Sequence, residues 1–528
     1  MEGKTIHTGS GNTMQANSFW QWAERDPARP ALVTPDGQAL TFGELGGRVN
    51  RISHALQALG LRRGDHVALL LPNGLEWIES YLAATQIGLY VTPINWHLTG
   101  EEAAYIVENC DARVLIADVH YAATALQAAR EASLAENQCY AVGDIPGFSP
   151  YESLLAGQPE TPPDERSAGT LMLYTGGTTG KPKGVLRPLP EGKPEQAAQL
   201  GQMLFFLFDV KPGAGVHLCQ GPLYHSAPAG FSTGALHMGQ TLVLMDKWDA
   251  ENALQCIERY RVTATHMVPT MFVRLLRLPE TIRNRYDLSS LRNVIHAAAP
   301  CPVEIKRQML DWWGPVIYEY YGATEGGGTL VKPREWLAHP GTVGRAWPGV
   351  QVRILDDEGR ELPAGEIGTI YMTAGLGDFQ YHKDPDKTRS VKRDGMITAG
   401  DLGHLTEEGW LFISDRRTDL ILSGGANIYP AEIEAVLVNH PKVADVAVFG
   451  VPDADWGEAV QAVIELIKGV AGSAELAEEI RQFAAQHLAR YKLPRHIDFS
   501  DHLPRLPSGK LLKRHLKDEY AARFRSGG

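Results

Sequence analysis

Two stretches of this sequence carry residue types at spacings suited to chemistry. The first is LMLYTGGTTGKPKGV, residues 171–185. An apolar strand pattern runs into Thr175, Gly176, Gly177, Thr178, Thr179 and Gly180, and Lys181 and Lys183 follow. Glycines allow backbone N–H groups to turn toward a ligand. Hydroxyl and ammonium groups add donors, which is what a polyphosphate needs. The loop is not a Walker A loop: Gly176 and Gly180 stand one residue too close, and Pro182 occupies the place of its Ser or Thr. The second stretch is Gly230-Phe231-Ser232-Thr233-Gly234, a G-x-S-x-G string. In hydrolases such a string forms a nucleophile elbow on a strand-to-helix turn. Here the preceding PLYHSAPA holds two prolines and does not read as a buried strand, so Gly230 and Ser232 read as pocket or packing residues. A serine esterase is nevertheless the rival reading from another class. No H-E-x-x-H pattern or Cys/His cluster points to zinc or a catalytic metal.

The elements that must position these stretches follow from the hydrophobic pattern. From about Asp65 to Ala323, apolar runs alternate with helical periods. Strands are expected at 66–71, 112–118, 216–220, 241–245, 264–268 and 293–297, and helices at 74–88, 249–260 and 302–313. This predicts an α/β fold of helix-covered parallel sheets, which bind ligands at the carboxyl ends of their strands. A Pro- and acid-rich stretch at 157–167 separates the N-terminal part from the next strand. After Gly341, shorter strands and turns predict a β subdomain. Near Asp415 the pattern changes again, to a small α+β unit with helices expected at 430–439 and 473–490. The expected organisation is a large N-terminal domain, 1–415, and a small mobile C-terminal domain, 416–528.

Length and composition agree with this plan. A chain of 528 residues is too long for one compact core. Hydrophobic residues at 44% and charged residues at 21% suit a soluble globular protein. The net charge of -12 is spread along the chain and argues against nucleic-acid binding, which needs a basic face. The five cysteines include no C-x-x-C pair, so reduced thiols in a cytoplasmic enzyme are expected. No apolar run reaches the ~18–20 residues of a membrane span. The polar N-terminus lacks the centre of a signal peptide. Residues before Met14 read as an unstructured leader, and a helical pattern starts at Ser18. The arginines of 271–285 read as a solvated helix face.

Read with the segments that follow it, the polyphosphate loop resembles that of the acyl-adenylate-forming superfamily, which includes acyl-CoA synthetases, beetle luciferases and peptide-synthetase adenylation domains. Thr175 to Gly184 look like its phosphate loop, with Gly176 where Ser is usual. Tyr321-Gly322-Ala323-Thr324-Glu325 is similar to the Y-G-x-T-E segment, which implies Thr324 on the α-phosphate and Glu325 on Mg²⁺. Ala297-Ala298-Ala299-Pro300 resembles the adenine-contacting loop, with Ala297 where Gly is usual. Thr398 to Gly403 resemble the T-G-D segment, so Asp401 is implied for the ribose hydroxyls. Asp415-Arg416 looks like the domain junction, with Arg416 implied for ribose and phosphate and Thr418 at the usual hinge position of an Asp or Lys. Gly424 and Gly425, with Trp456, are implied for the pantetheine path. Leu506-Pro507-Ser508-Gly509-Lys510 resembles the P-x-G-K segment, which makes Lys510 the implied adenylation lysine. The segments keep one order from Thr175 to Lys510, which makes chance matching implausible.

The resemblance implies ATP, Mg²⁺, CoA and a small carboxylic acid as partners. Peptide-synthetase adenylation domains place an Asp early in the acid-binding segment, whereas here His225 stands near that place. An amino acid substrate is therefore disfavoured, and no carrier domain follows Lys510. The acid pocket is expected from His225, Ser226, Ala227, Gly230, Gly326 and Gly327. Small residues there, Ala229 and Gly328 included, imply a roomy uncharged site for a medium- or long-chain fatty acid or a bulky polycyclic acid. An aryl acid of benzoate or cinnamate type is the alternative, with Tyr224 and Phe231 flanking the ring. The expected reaction is acyl-AMP formation with release of pyrophosphate, rotation of the C-terminal domain, then transfer of the acyl group to CoA. Dependence on ATP and Mg²⁺ separates this reading from the esterase. A homodimer and peripheral membrane contact are left open.

Overall fold

Thr41 starts the first long helix. Its hydroxyl accepts from Glu44 N–H, and the Glu44 carboxylate accepts from Thr41 N–H, closing both ends of a capping box. The helix Phe42–Ala58 then lays Leu45, Val49, Ile52 and Leu56 into a core shared with Phe19, Leu69, Trp77 and Leu242. In the computed structural model, which describes residues 18–175, 181–213, 215–375, 377–453, 455–505 and 511–526, five sheets organise the chain. The expected leader before Met14, Gly176–Gly180 of the phosphate loop, and Lys510 lie outside the described residues.

The apolar runs form strands where the alternation put them: His66–Leu70, Ala112–Asp118, Val216–Cys219, Thr241–Leu244, Ala264–Met267 and Asn293–His296. The helices Leu75–Gln86, Ala250–Tyr260 and Val303–Trp313 lie between them. Two sheets dominate. One has six strands, all parallel, with His66–Leu70 near its centre and buried along its whole length. The other has nine strands. In its middle, Ile317–Ala323, Asn293–His296, Ala264–Met267, Val216–Cys219 and Thr241–Leu244 lie side by side and parallel. At Ala323 the chain reverses and returns as the antiparallel strand Gly326–Val331. Thr324 and Glu325 form that reversal, at the carboxyl end of a parallel strand, where α/β sheets bind ligands.

The β subdomain is a six-stranded sheet between Val352 and Arg416, in which Asp401–Leu405 pairs antiparallel with Leu411–Arg416. From Ile421 on, five strands build a separate sheet around the long hairpin Val443–Asp453 and Gly457–Leu466, covered by the helices Pro430–Leu437 and Ala474–Ala485. The second helix stops short of the expected residue 490. A 3₁₀ turn at Arg490–Lys492 follows, and Pro494 excludes a helical residue before it. Arg277 is more than a solvated surface charge. Its guanidinium donates to the Val443 carbonyl at 2.7 Å and to that of Ala444, tying the helix Pro269–Leu276 to the C-terminal sheet. Among the described residues no helix is long and apolar enough to cross a membrane.

Candidate active site

The strands on either side of the phosphate-loop segment pair with each other. Leu173–Thr175 and Lys183–Leu186 pair antiparallel with Thr175 opposite Lys183, so a hydroxyl and an ammonium flank the same mouth. Beside it is a cavity of about 250 Å³ lined by Lys181, Lys183, His382, Lys383 and Asp384, among others. Lys181 Nζ stands 4.7 Å from the centre of the Tyr105 ring. Lys183 Nζ is 2.5 Å from Asp384 Oδ2. This cationic lining fits the phosphates of a nucleotide. A third strand, Gln380–Tyr381, pairs with Lys183–Leu186 and carries Tyr381, whose hydroxyl donates to Glu325 Oε1 at 2.6 Å. Arg187 donates to the Thr324 carbonyl at 3.0 Å. The reversal holding Thr324 and Glu325 is thus braced from the hairpin side.

A second group forms on the subdomain side. The Tyr321 hydroxyl donates to Asp401 Oδ2 at 2.7 Å, and Arg416 Nε lies 3.5 Å from Asp401 Oδ1. Burial beside that carboxylate raises the Tyr321 phenol well above its ordinary value, so it remains a donor. Asp401 and Arg416 sit opposite each other on adjacent strands. The expected adenine loop begins where Asn293–His296 ends, next to the parallel strand that carries Tyr321. Ala298 takes φ 75°, a left-handed conformation that costs a non-glycine residue energy. Together, the phosphate mouth, Thr324, Tyr321, Asp401, Arg416 and the 297–300 loop gather at one end of the nine-stranded sheet.

His225 caps the helix Ser226–His237, and its ring lies 4.4 Å from that of Tyr224. Ser226 and Gly230 are exposed, Ala227 is half-buried, and a side chain at Gly230 would meet nothing. The glycines of 326–328 differ. A Cβ at Gly327 would come within 2.7 Å of the Thr373 carbonyl, and one at Gly328 within 2.6 Å of the Trp347 ring. Close packing of neighbours, rather than an open cavity, takes up the space at these positions. The Tyr224 ring meets that of Trp96 edge-on, at a centroid separation of 5.6 Å. Phe231 meets Tyr320 and His266, at centroid separations of 6.1 and 5.1 Å. The esterase reading fails on geometry: Ser232 lies inside the helix Ser226–His237, fully buried, not on a strand-to-helix turn. In the C-terminal sheet, Gly424 N–H donates to the Trp456 carbonyl at 2.8 Å, and the Trp456 ring covers Gly424 so closely that a Cβ would clash.

The family profile described as AMP-binding enzyme matches residues 19–375, and the profile described as AMP-binding enzyme C-terminal domain matches residues 432–510. The chain belongs to this family. Among its relatives is fatty acid–[acyl-carrier-protein] ligase ScoC of Streptomyces coeruleorubidus, 32% identical over 96% of both chains. Another is an indoleacetate–CoA ligase of Aromatoleum aromaticum, 33% identical over 93% of this chain and 96% of that one. The structure of the anthranilate CoA ligase AuaEII in complex with anthranoyl-AMP superposes with a TM-score of 0.85 at 26% identity, over 96% of this chain and 98% of that one. This acyl-adenylate-forming enzyme is an AMP-forming acid–thiol ligase. Motif reading missed three residues that contact the candidate site: Arg187, Tyr381 and Asp384. The one sequence signal for the last two was the segment Tyr381-His382-Lys383-Asp384-Pro385, whose Asp-Pro marks a helix start.

Proposed function

We propose that this ligase activates an uncharged hydrophobic acid, of medium or greater chain length or of polycyclic bulk, and passes the acyl group to the thiol of CoA. The observation that carries this reading is the wall of rings on one face of the strand Ile317–Ala323. Side chains alternate along a strand, so Tyr321 serves Asp401 while Tyr320 faces Phe231 and His266 on the opposite side. None of these groups is charged, since burial pushes the His266 imidazole down to about 3. The buried Phe205 adds a further ring, 5.5 Å from Phe231. An aryl acid is the second reading, because aromatic pairs add attraction beyond area.

In the first half-reaction an acid oxygen attacks the α-phosphorus of ATP, and pyrophosphate leaves with the bonding pair. Thr324 stands by the α-phosphate, Lys183 and Lys181 by the outer phosphates, and Asp401 by the ribose. In the second, the CoA thiol gives its proton to solvent, its sulfur attacks the acyl carbon, and the acyl C–O bond breaks as AMP leaves with the bonding pair. Each buried CH₂ adds up to ~0.8 kcal/mol, roughly fourfold in discrimination. Octanoate and longer acids are therefore expected to exceed acetate greatly in kcat/KM. Assaying acetate, octanoate, palmitate, a bile acid, 4-coumarate and malonate for AMP release decides the matter. A lead by acetate or malonate sinks the reading, and a tenfold lead by 4-coumarate replaces it with the second.

Glu325 fits magnesium by its chemistry: a hard carboxylate, fixed by Tyr381, beside the phosphate mouth. Bound there with phosphate oxygens, the ion would supply charge neutralisation. Glu325→Gln is expected to raise the Mg²⁺ concentration needed for half-maximal pyrophosphate release. An unchanged Mg²⁺ titration would remove Glu325 from this role.

A further inference from the structure

The turn at Tyr381–Asp384 touches both the phosphate lysine and the candidate metal carboxylate, though no motif reading assigned it a part. Its backbone is fixed on three sides. The strand Gln380–Tyr381 pairs with Lys183–Leu186, placing Tyr381 opposite Val185. His382 N–H donates to the Gly184 carbonyl at 2.8 Å. Thr388 closes the turn from behind: its Oγ1 accepts from Tyr381 N–H at 2.9 Å and donates to the Asp384 carbonyl at 2.8 Å. Asp384 then divides its carboxylate. Oδ1 caps the helix Pro385–Val391 by accepting from Lys387 N–H at 2.9 Å, and Oδ2 lies 2.5 Å from Lys183 Nζ. A capping carboxylate has little rotational freedom, so its second oxygen is a fixed anchor. An ammonium has three donors. With one held by Asp384, the other two are directed rather than swept through the rotamers of a free lysine.

We propose that Asp384 is a positioning residue: it holds Lys183 at the rim of the cationic cavity, with two donors left for the phosphates of ATP. The proposal rests on the adenylation reading above. Charge alone argues for the opposite effect, because an aspartate next to a triphosphate repels it. Orientation outweighs this here, since the Asp384 charge is already neutralised by Lys183, which together with the capping N–H holds its carboxyl below the ordinary value. Lys181 keeps a positive charge at the rim, where Lys383 is itself paired with Asp111 at 2.8 Å.

The test is calorimetric binding of ATP to the full chain without acid, so that no turnover occurs, together with KM values for ATP and acid. Asp384→Asn keeps a good helix cap and removes the ion pair. It is expected to weaken ATP binding by about tenfold, the scale of one charge-assisted contact, and to raise KM for ATP while leaving KM for the acid unchanged. Lys183→Ala is expected to weaken ATP binding at least as much. The double variant should bind ATP no more weakly than Lys183→Ala alone, because Asp384 acts through that lysine. Wild-type affinity in Asp384→Asn, or losses that multiply in the double variant, overturn the positioning role. Equal unfolding midpoints for wild type and Asp384→Asn assign the loss to the site, whereas a lowered midpoint with both KM values raised assigns it to structure and also overturns the role. A wild-type chain that does not bind ATP sinks the nucleotide reading itself.

Discussion

Replacing Lys510 by alanine is expected to slow acyl-adenylate formation by ~10²–10³-fold while leaving thioester formation from supplied acyl-AMP nearly unchanged. The asymmetry follows from the charges in the two half-reactions. In the first, a carboxylate approaches a phosphate, and two anions must come within bonding distance. An ammonium placed between them offsets the repulsion and stabilises the charge that shifts onto the leaving pyrophosphate, an effect on the scale of one preorganised donor. In the second, a thiol attacks an acyl carbon that is already activated, and no such meeting of anions occurs. Lys183 is tied to Asp384 at the rim, and in the proposed reading it faces the phosphates rather than the incoming acid. Single-turnover assays of each half-reaction measure the two rates separately. Equal losses in both would end the assignment of Lys510 to adenylation.

The fold was legible wherever a single physical cause dominated. Strands buried on both faces read as unbroken apolar runs, and His66–Leu70 and Asn293–His296 were found that way. Thr324 and Glu325 were singled out only through the likeness of Tyr321-Gly322-Ala323-Thr324-Glu325 to a family segment, and they lie at the reversal after such a strand. Contacts that join distant parts of the chain were not legible. Tyr381 reaches Glu325 across 56 positions, Arg187 reaches Thr324 across 137, and Lys183 reaches Asp384 across 201. No periodicity encodes such pairings, which depend on how the hairpin packs on the sheet. Glycines mislead for a different reason. A missing side chain looks the same in sequence whether a cavity or a neighbour fills its place. Gly230 faces open space, and Gly327 abuts the Thr373 carbonyl. The G-x-S-x-G string failed in the same way, since its residues are equally compatible with a helix interior, where Ser232 lies.

Lys306→Met is expected to lower stability by about 3–5 kcal/mol, the cost of leaving a buried charge without its partner. Lys306 is fully buried on the helix Val303–Trp313, with Nζ 2.6 Å from Glu319 Oε2 and 4.7 Å from the centre of the Trp336 ring. Glu319 is buried on the strand that goes on to carry Tyr321 and ends at Thr324. His296 Nε2 is 3.5 Å from the same Glu319 oxygen, and burial, with Lys306 adding to it, holds its imidazole well below the ordinary value. Burial also raises the Glu319 carboxyl and lowers the Lys306 ammonium, each opposed by its partner. Without Lys306 the carboxyl rises further. A folded-state value above the unfolded one gives stability that is present in acid and lost as pH rises through it. The deficit of Lys306→Met should therefore widen from about pH 5 to about pH 8. Lys306→Met combined with Glu319→Leu removes both charges and should recover most of the loss, with little dependence on pH, because an apolar pair of similar volume commonly replaces a buried ion pair at no cost. Urea unfolding of the three chains at both pH values measures this. A single variant as stable as wild type at both, or a double variant no better than the single, would show that this ion pair does not hold the strand beneath the nucleotide site.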